Sequence, residues 1–382
     1  MAVGRKSFAV CATLALTVAN AGAQAAPSVK LKPADAKLDE EFTQITSVRE
    51  LSDGRVLVTD GRENRVVVAD FKAGTVMQIG RNGQGPGEYQ STGMLRAIGG
   101  DSSLMVEARV GRWHLFDGPK LALTLPPDAP IVTAIGRSVG GADARGNVYR
   151  TMSIPLGGMV PNGAQPESGF VVRASRSSVR VDTVARVKVE KLVINQTTNA
   201  SGVIRSVNLI RPPLTVGDEV ALFQDGWFAI VRLDPYRVEW ISPEGTVTKG
   251  GPLPWPAVKV TDREKLAFYM SRSREAARAP NGPVPESVRK QLEESSNLFP
   301  ETFPPVASGG LIALGDGRLL VRHPETADFP NARYDPIDRR GRLSATIALA
   351  HGESIVAVTA KSAYVAWKDD DDIERLRKHP WP

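Results

Sequence analysis

The chain of 382 residues contains a single cysteine, Cys11. Cys11 lies in an N-terminal stretch with the features of a secretory signal, so the mature protein is expected to contain no cysteine. A disulfide or a thiolate metal site is then excluded, and packing must supply the stability. Export without disulfides favours a bacterial periplasm or exterior over a eukaryotic one.

Long hydrophobic runs are also missing. The apolar run at residues 8–18 follows Arg5 and Lys6 and is too short to span a bilayer as a helix. Small residues follow in "ANAGAQAAP", where A-x-A cleavage sites end at Ala23 and Ala25. The sequence therefore predicts a signal peptide over residues 1–25 and a periplasmic or extracellular mature protein without a membrane span. A retained N-terminal anchor is the alternative.

Basic residues are not concentrated on any one element of the chain. The formal net charge is +6 and becomes +4 when Arg5 and Lys6 are removed. Nucleic-acid-binding proteins usually gather basic residues on one element, and here acidic and basic residues are interspersed, with an acidic run at residues 369–372. No nucleic-acid partner is predicted, and a monomer is expected.

Catalytic signatures are absent from the sequence as well. It has four histidines, with no H-E-x-x-H or H-x-H spacing and no G-x-S-x-G elbow. No metal-binding residues are predicted, and the catalytic residues, if there are any, stay unknown. This pattern favours a binding protein over an enzyme.

What the sequence does contain is a repeated tight turn followed by a short β-rich run. The turns lie near positions 54, 102, 146, 226, 317 and 362, so three intervals measure 44–48 residues and two measure 80 and 91. Asp-Gly between apolar runs predicts a β-hairpin, and a period of this size is typical of propeller blades. The pattern predicts an all-β fold, a six-bladed β-propeller with four-stranded antiparallel blades over residues 26–382.

The first repeat resembles a known family. "SVRELSDGRVLVTDGRENRVVVADFKAGTVMQIGRNGQGPGEY" combines the Asp-Gly turn, a V-x-D-x-x-x-N-R-V hairpin and a G-x-G-x-G-P-G-E-aromatic exit. It is similar to a blade of the NHL-type six-bladed β-propellers, and "AYVAWKDDDDIERLRKHP" is similar to the last blade of secreted bacterial propellers of this group. The resemblance covers about residues 40–382 and implies a fold without implying a function.

The glycine-rich stretch "GRNGQGPGEY" at residues 80–89 raises the possibility of a phosphate-binding loop. A P-loop would need a following Lys-Ser or Lys-Thr pair, which is missing, and Pro86 has no N–H to offer an anion. In a propeller the same glycines carry the chain from one blade to the next. We therefore predict a structural turn.

Two insertions interrupt the repeat. A Pro/Gly loop is predicted at residues 155–169, and a helical insertion at residues 261–305 between blades four and five. Thr261 and Glu264 have the spacing of a capping box before a helix at about residues 266–279, and Pro285 precedes a second helix at residues 286–296. The N-terminal segment, residues 29–42, is predicted to complete the last blade.

The candidate site residues come from the ends of the second strands. These positions hold Asp60, Glu107, Arg150, Arg232, Arg322 and Lys368, and arginines open four of the third strands. One interpretation is acid–base pairing within each hairpin, such as Asp60 with Arg65. The other is a ligand site made by Arg150, Arg232, Arg322 and His323, with the arginines donating to an anionic group.

Two functions stay open at this point. The leading one is a secreted or periplasmic binding scaffold whose partner, a small molecule or a protein, lies at the channel face. The alternative is a metal-dependent propeller lyase or hydrolase with its site in the central channel, which alone would require a cofactor, a divalent cation. A propeller fold hosts many functions and cannot decide between them.

Overall fold

The computed structural model describes residues 27–136, 139–152, 167–175, 179–198, 201, 204–273, 282–369 and 371–382. Six antiparallel sheets of four strands form the bulk of these residues, one of them with a fifth strand at its edge. The innermost strands of neighbouring sheets contact one another, as the blades of a propeller do. The predicted all-β, six-bladed propeller is confirmed.

The first three blades each take their strands in chain order from the axis outwards. Blade 1 comprises β3 (Ile45–Glu50), β4 (Val56–Asp60), β5 (Arg65–Asp70) and β6 (Thr75–Ile79). Blade 2 comprises β9 (Leu95–Gly99), β10 (Ser102–Glu107), β11 (Arg112–Asp117) and β12 (Lys120–Leu125). Blade 3 comprises β13 (Gly141–Ala142), β14 (Asn147–Met152), β15 (Ser168–Ser175) and β16 (Val181–Lys188).

The other three blades follow the same order. Blade 4 comprises β19 (Glu219–Leu222), β20 (Phe228–Leu233), β21 (Tyr236–Ile241) and β22 (Val247–Lys249). Blade 5 comprises β23 (Leu311–Ala313), β24 (Leu319–Arg322), β25 (Arg333–Ile337) and β26 (Thr346–Ala348). Blade 6 takes three strands from the end of the chain: β27 (Glu353–Val358), β28 (Ser362–Lys368) and β29 (Glu374–Pro380).

Blade 6 is completed by a strand from the other end of the described chain. β2 (Ala36–Lys37) pairs antiparallel with β29. The backbone of Phe42 then exchanges two hydrogen bonds of 2.8 Å with the backbone of Glu374, and the Phe42 side chain is buried beneath them. The prediction that the N-terminal segment closes the ring is confirmed.

A second N-terminal strand has no counterpart in the sequence prediction. β1 (Ser28–Val29) lies parallel to β26 on the outer edge of blade 5, with Val29 opposite Ile347. An edge strand presents unpaired N–H and C=O groups that an extended segment can bind. The N-terminal segment therefore ties the outer edges of blades 5 and 6 together before the chain enters blade 1.

The core consists of apolar side chains between neighbouring blades. Successive side chains of a strand point to opposite faces of the sheet. Leu57 of blade 1 accordingly packs in a cluster with Met105 of blade 2, while Val58 packs in a cluster with Tyr364 of blade 6. Full burial of such side chains stabilises a fold by about 1.5–3 kcal/mol each, so the blades hold together without a disulfide.

The Asp-Gly turns join the first and second strands of their blades. At three of them the glycine lies in the left-handed region that L side chains rarely adopt, with φ of 87° at Gly54, 86° at Gly226 and 84° at Gly317. The Asp53 carboxylate accepts the Arg55 N–H at 3.0 Å. The structure thus contains the Asp-Gly turns from which the repeat was predicted.

The glycine-rich stretch connects the outer strand of blade 1 to the inner strand of blade 2. It contains the short parallel pair β7 (Arg81–Asn82) and β8 (Glu88–Tyr89). The buried Tyr89 hydroxyl donates to Ile79 O at 2.6 Å and accepts the Val66 N–H at 2.9 Å. Gly80 has φ 68°, and a Cβ there would lie 2.7 Å from Gly87 O. The predicted structural turn is confirmed.

Three insertions lie in the blade-to-blade connections. They are α1 (Pro130–Ile135) after blade 2, a hairpin of β17 (Val193–Thr198) and β18 (Ile204–Ile210) after blade 3, and, after blade 4, α2 (Asp262–Met270) and α3 (Glu286–Ser295) with a 3₁₀ turn (Ser296–Leu298). The hairpin occupies part of the long interval after position 146 and is not indicated by the repeat. Residues 155–166 of the predicted Pro/Gly loop lie outside the described residues.

The predicted capping box of α2 is wrong. Thr261 is the N-cap residue but forms no side-chain hydrogen bond there. Glu264 is buried, and its Oε1 accepts the Ala327 N–H at 2.7 Å instead of reaching back to the cap. The helix ends at Met270, earlier than predicted, and residues 274–279 of the predicted helix lie outside the described residues.

Candidate functional site

A cleft of approximately 760 Å³ opens over blades 4 and 5, at the end of the propeller where the second strands finish. Its walls are residues 211–216 after blade 3, the cleft-facing side of α2, residues 303–308 before blade 5 and residues 322–330 of the blade 5 loop between β24 and β25. Blade-to-blade connections emerge at this same end, the glycine-rich stretch among them. The volume is typical of small-molecule sites.

One side of α2 faces the cleft. The lining residues are Glu264, Ala267, Phe268 and, just beyond the end of the helix, Ser271 and Arg272. Steps of three and four residues place side chains on the same side of a helix. The insertion therefore presents to the cleft a surface that combines one aromatic ring, one guanidinium and one carboxyl group.

The other side of α2 is braced by α3 and the turn that follows it. The Tyr269 hydroxyl forms a hydrogen bond with the Ser295 hydroxyl, and Lys265 Nζ donates to Ser296 Oγ at 3.3 Å. The rings of Tyr269 and Phe299 pack edge to face, with centroids 5.9 Å apart. These contacts fix the orientation of α2, and with it the position of the cleft-facing side chains.

Arg272 is the cation of the cleft that has no acidic partner among the described residues. Its Cζ lies 3.7 Å from the centroid of the Phe268 ring. Nη1 donates to Phe268 O at 3.1 Å and, more weakly, to Ser271 Oγ at 3.4 Å. Burial lowers the pKa of Arg272, as expected when desolvation is not offset by a nearby carboxylate.

The other two arginines that the described part of the cleft lining contains are paired. Arg322 Nη2 lies 2.6 Å from Glu325 Oε1, and both side chains remain partly exposed. Arg211 Nε lies 2.8 Å from Oε2 of Glu190. Each of these arginines is already neutralised by a glutamate, so an anionic ligand would have to compete with that glutamate for the guanidinium.

His323 lies under the cleft with both ring nitrogens engaged. Nδ1 lies 2.6 Å from Pro305 O, and Nε2 lies 2.7 Å from Asp335 Oδ2. Thr346 donates to the other oxygen of Asp335 at 2.7 Å, and the imidazole stacks on Trp255 with centroids 4.9 Å apart. The face of the ring can contact a ligand, but its two nitrogens are used in contacts that stabilise the floor of the cleft.

Arg150 and Arg232 do not line this cleft. Arg150 Nη1 donates to Ile135 O at 2.8 Å, at the end of α1. Arg232 lies between Asp218, at 2.5 Å, and Glu239, at 2.7 Å, whose side chains are 4% and 6% exposed. Of the four predicted site residues, the structure brings only Arg322 and His323 together.

The acid–base pairing within each hairpin, as predicted, occurs in some blades only. Glu107 pairs with Arg112 at 2.8 Å in blade 2. Asp60 and Arg65 stand opposite each other in blade 1, yet Asp60 accepts backbone N–H groups, including that of Arg62 at 3.0 Å, and Arg65 pairs with Glu40 at 2.7 Å. The predicted Asp60–Arg65 pair is wrong because backbone N–H groups occupy the Asp60 carboxylate and Arg65 pairs with a different residue.

Neither a metal-binding cluster nor a membrane-spanning helix is found among the described residues. Within the described ranges, no three His, Cys, Asp or Glu side chains are grouped so that they could hold a metal ion. No helix in that same part of the chain is both long and apolar enough to cross a membrane.

Sequence reasoning missed Phe268 and Arg272. The cleft-facing side of α2 mixes Glu, Ala, Phe, Ser and Arg, so hydrophobic periodicity gives no signal there. The one available pointer was the insertion itself, because binding residues are disproportionately found on segments carried by a rigid scaffold.

Comparison with known proteins supports the fold but does not show a function. No protein-family model matches this chain, and no curated protein matches its sequence. Among solved structures, a member of the DUF4221 family from Bacteroides vulgatus is similar, with a TM-score of 0.50 and 6% identity over 92% of this chain and 98% of that chain. The class that the fold defines is the six-bladed β-propeller.

Two other similar structures have TM-scores below 0.5 and carry no argument about function. A calcium-binding protein, regucalcin, from Agrobacterium tumefaciens has a TM-score of 0.39 and 10% identity, over 93% of this chain and 96% of that chain. A gluconolactonase from Xanthomonas campestris has a TM-score of 0.44 and 11% identity, over 94% and 98% of the two chains. The narrower resemblance to NHL-type repeats stays a prediction.

Proposed function

We propose that this protein is a binding protein of the periplasm or cell exterior and that the cleft over blades 4 and 5 is its ligand site. The observation that carries the proposal is the make-up of the cleft. Apolar side chains such as Phe268, Phe303 and Val306 share its lining with a few arginines. Small-molecule sites typically combine apolar walls with a few well-placed polar groups.

The walls of the cleft are tied to the propeller by specific bonds, which supports a site formed before ligand binding. Glu264 on α2 accepts the Ala327 N–H of the blade 5 loop at 2.7 Å. Trp255 Nε1 donates to Phe303 O at 3.3 Å. A pre-organised site loses less conformational entropy when a ligand binds.

The proposal is tested by blocking the cleft. Ala267 faces the cleft and is exposed, so Ala267→Trp places a large ring inside it. We expect N-phenyl-1-naphthylamine, an uncharged probe that fluoresces in apolar sites, to bind the wild type and to bind Ala267→Trp at least about tenfold more weakly.

The matched control adds the same ring outside the cleft. Glu293 is exposed on α3 and does not line the cleft, so Glu293→Trp is expected to bind the probe like the wild type. Equal binding by all three proteins, or no binding by the wild type, would refute the cleft as a ligand site.

The proposed location rests on export, which is part of the same proposal. Residues 1–25 are proposed as the signal peptide and residues 26–382 as the propeller domain; residues 1–26 lie outside the described residues. Cleavage at the A-x-A sites gives a mature N-terminus at Gln24 or Ala26. N-terminal sequencing of protein recovered from the periplasm or medium tests this, and residues 8–18 still attached would contradict it.

A further inference from the structure

We infer that the ligand of the cleft is an organic acid with a flat apolar body, and that Arg272 binds its carboxylate or sulfonate group. This inference rests on the proposed function and adds the chemical class of the ligand. It is carried by three features of the cleft: one guanidinium edge without a hydrogen-bond partner among the described residues, the charge of the lining, and the shape of the apolar walls.

The free edge belongs to Arg272. Phe268 covers one face of the guanidinium at 3.7 Å, and Nη1 is used by Phe268 O and Ser271 Oγ. Among the described residues nothing accepts a hydrogen bond from Nε or Nη2. These two donors form one edge of the guanidinium fork, and that edge matches the two oxygens of a carboxylate.

The charge of the lining agrees with an anionic ligand. Among the described residues of the lining, three arginines, Arg211, Arg272 and Arg322, stand against two glutamates, Glu264 and Glu325. Glu325 is engaged by Arg322 and Glu264 by a backbone N–H. Arg272 is exposed and lies against the Phe268 ring. Because no carboxylate among the described residues pairs with it, an incoming anion has no counter-ion to displace there.

The body of the ligand is defined by the other lining residues. Phe303 and Val306 are buried at the base of the cleft, at 3% and 0% exposure, and Pro304, Pro324 and Pro330 contribute rigid rings. Proline side chains lose no rotamer entropy when a surface covers them. A flat apolar body therefore suits these walls better than a flexible polar one.

Two probes with the same ring system separate the anionic head from the apolar body. 8-Anilinonaphthalene-1-sulfonate carries a sulfonate, and N-phenyl-1-naphthylamine lacks it. We expect the wild type to bind the sulfonate more tightly than the uncharged probe. Arg272→Ala is expected to weaken sulfonate binding about tenfold or more, the size of a lost charge-assisted hydrogen bond, and to leave the uncharged probe within about twofold.

Two more variants sharpen the test. Arg263 is exposed on the same helix and does not line the cleft, so Arg263→Ala removes the same charge and is expected to change neither dissociation constant. Arg272→Lys keeps the charge but loses the fork, and an intermediate affinity for the sulfonate is expected. Thermal unfolding of each variant checks that it is folded.

The failure of this inference differs from the failure of the proposed function. If Ala267→Trp blocks both probes while Arg272→Ala weakens both equally or neither, the cleft binds ligands but Arg272 does not select an anion. If Arg263→Ala weakens sulfonate binding as much as Arg272→Ala does, long-range charge explains the preference and the inference is overturned. If Ala267→Trp affects neither probe, the proposed function itself is wrong.

Discussion

His323 Nε2 lies 2.7 Å from Asp335 Oδ2, and the two side chains are 5% and 6% exposed. The other ring nitrogen, Nδ1, faces Pro305 O, which can only accept a hydrogen bond, so Nδ1 carries a hydrogen. Blade 2 holds a similar pair with the order reversed: Glu107 ends the second strand and His114 lies on the third, 3.1 Å away. An acid–base pair thus joins the second and third strands in both blades.

We predict that Asp335→Asn destabilises the protein. The amide keeps the shape of the carboxylate but removes the charge that His323 and the Thr346 hydroxyl face. Imperfect replacement of a buried charge-assisted bond is expected to lower the free energy of unfolding by about 1–3 kcal/mol. Denaturant unfolding measures the effect, with Asp128→Asn at an exposed position as the control. Equal midpoints for the two variants would contradict the prediction.

His114 is expected to make stability depend on pH in the mildly acidic range. Burial lowers its pKa below the usual 6.5, against the opposing effect of Glu107, and the nearby Arg112 charge lowers it further; Nδ1 faces the Thr124 hydroxyl. As pH falls below about 6.5 the unfolded chain takes up a proton at this residue before the folded protein does, so the free energy of unfolding falls.

The measurement is the unfolding free energy between about pH 7 and about pH 5, above the range in which carboxylates titrate. His114→Gln is expected to flatten this dependence, because the amide does not take up a proton. His351→Gln, at an exposed position, is the control and is expected to keep the wild-type slope. A wild-type slope in His114→Gln would show that another group is responsible.

The fold could be predicted from the sequence because its determinants are local and repeated. An Asp-Gly turn such as that at Gly54 specifies its own hairpin, and the spacing of such turns gives the number of blades. The need for an N-terminal strand follows from the three strands left for the last blade. β1 and the β17–β18 hairpin could not be predicted this way, since each occurs once and depends on which edge or connection is nearby.

The site was predictable only where it follows the repeat. Arg322 was found because it ends a second strand, and His323 because it follows that strand directly. One partner of Arg232, Glu239, lies on the third strand of the same blade. The other, Asp218, lies in a connection that is not repeated, so that contact could not be read from the blade pattern. Arg272 was missed because its proposed role depends on Phe268 and on the position of an inserted helix, which only tertiary packing determines.

Phe42 tests the closure of the ring. It is 1% exposed and belongs to the core between blades 6 and 1, and its backbone pairs with Glu374. Phe42→Ala is expected to lower the free energy of unfolding by about 3–5 kcal/mol, the usual effect of removing a buried aromatic ring. Phe329→Ala, at an exposed ring, serves as the comparison and is expected to cost much less. Similar losses in both variants would argue against closure by this segment.

Arg232 and Arg322 occupy equivalent strand ends but are predicted to differ in role. Arg232→Ala leaves the buried Asp218 carboxylate without a cation, although a second arginine stays paired with Glu239, and the expected loss is about 3–5 kcal/mol of unfolding free energy. Arg322→Ala breaks a partly exposed pair with Glu325, so a loss under about 1 kcal/mol is expected.

Probe binding is expected to depend on Arg322 and not on Arg232, the reverse of the order expected for stability. Arg322 lines the cleft and Arg232 does not, so Arg322→Ala is expected to weaken binding of 8-anilinonaphthalene-1-sulfonate by a few-fold, whereas Arg232→Ala, measured below its unfolding temperature, is expected to bind as the wild type does. Fluorescence titration gives the dissociation constant of the probe for each variant, and thermal unfolding gives the stability of each variant. Lost stability in both variants with unchanged probe binding would assign both arginines to the architecture of the propeller and remove Arg322 from the site.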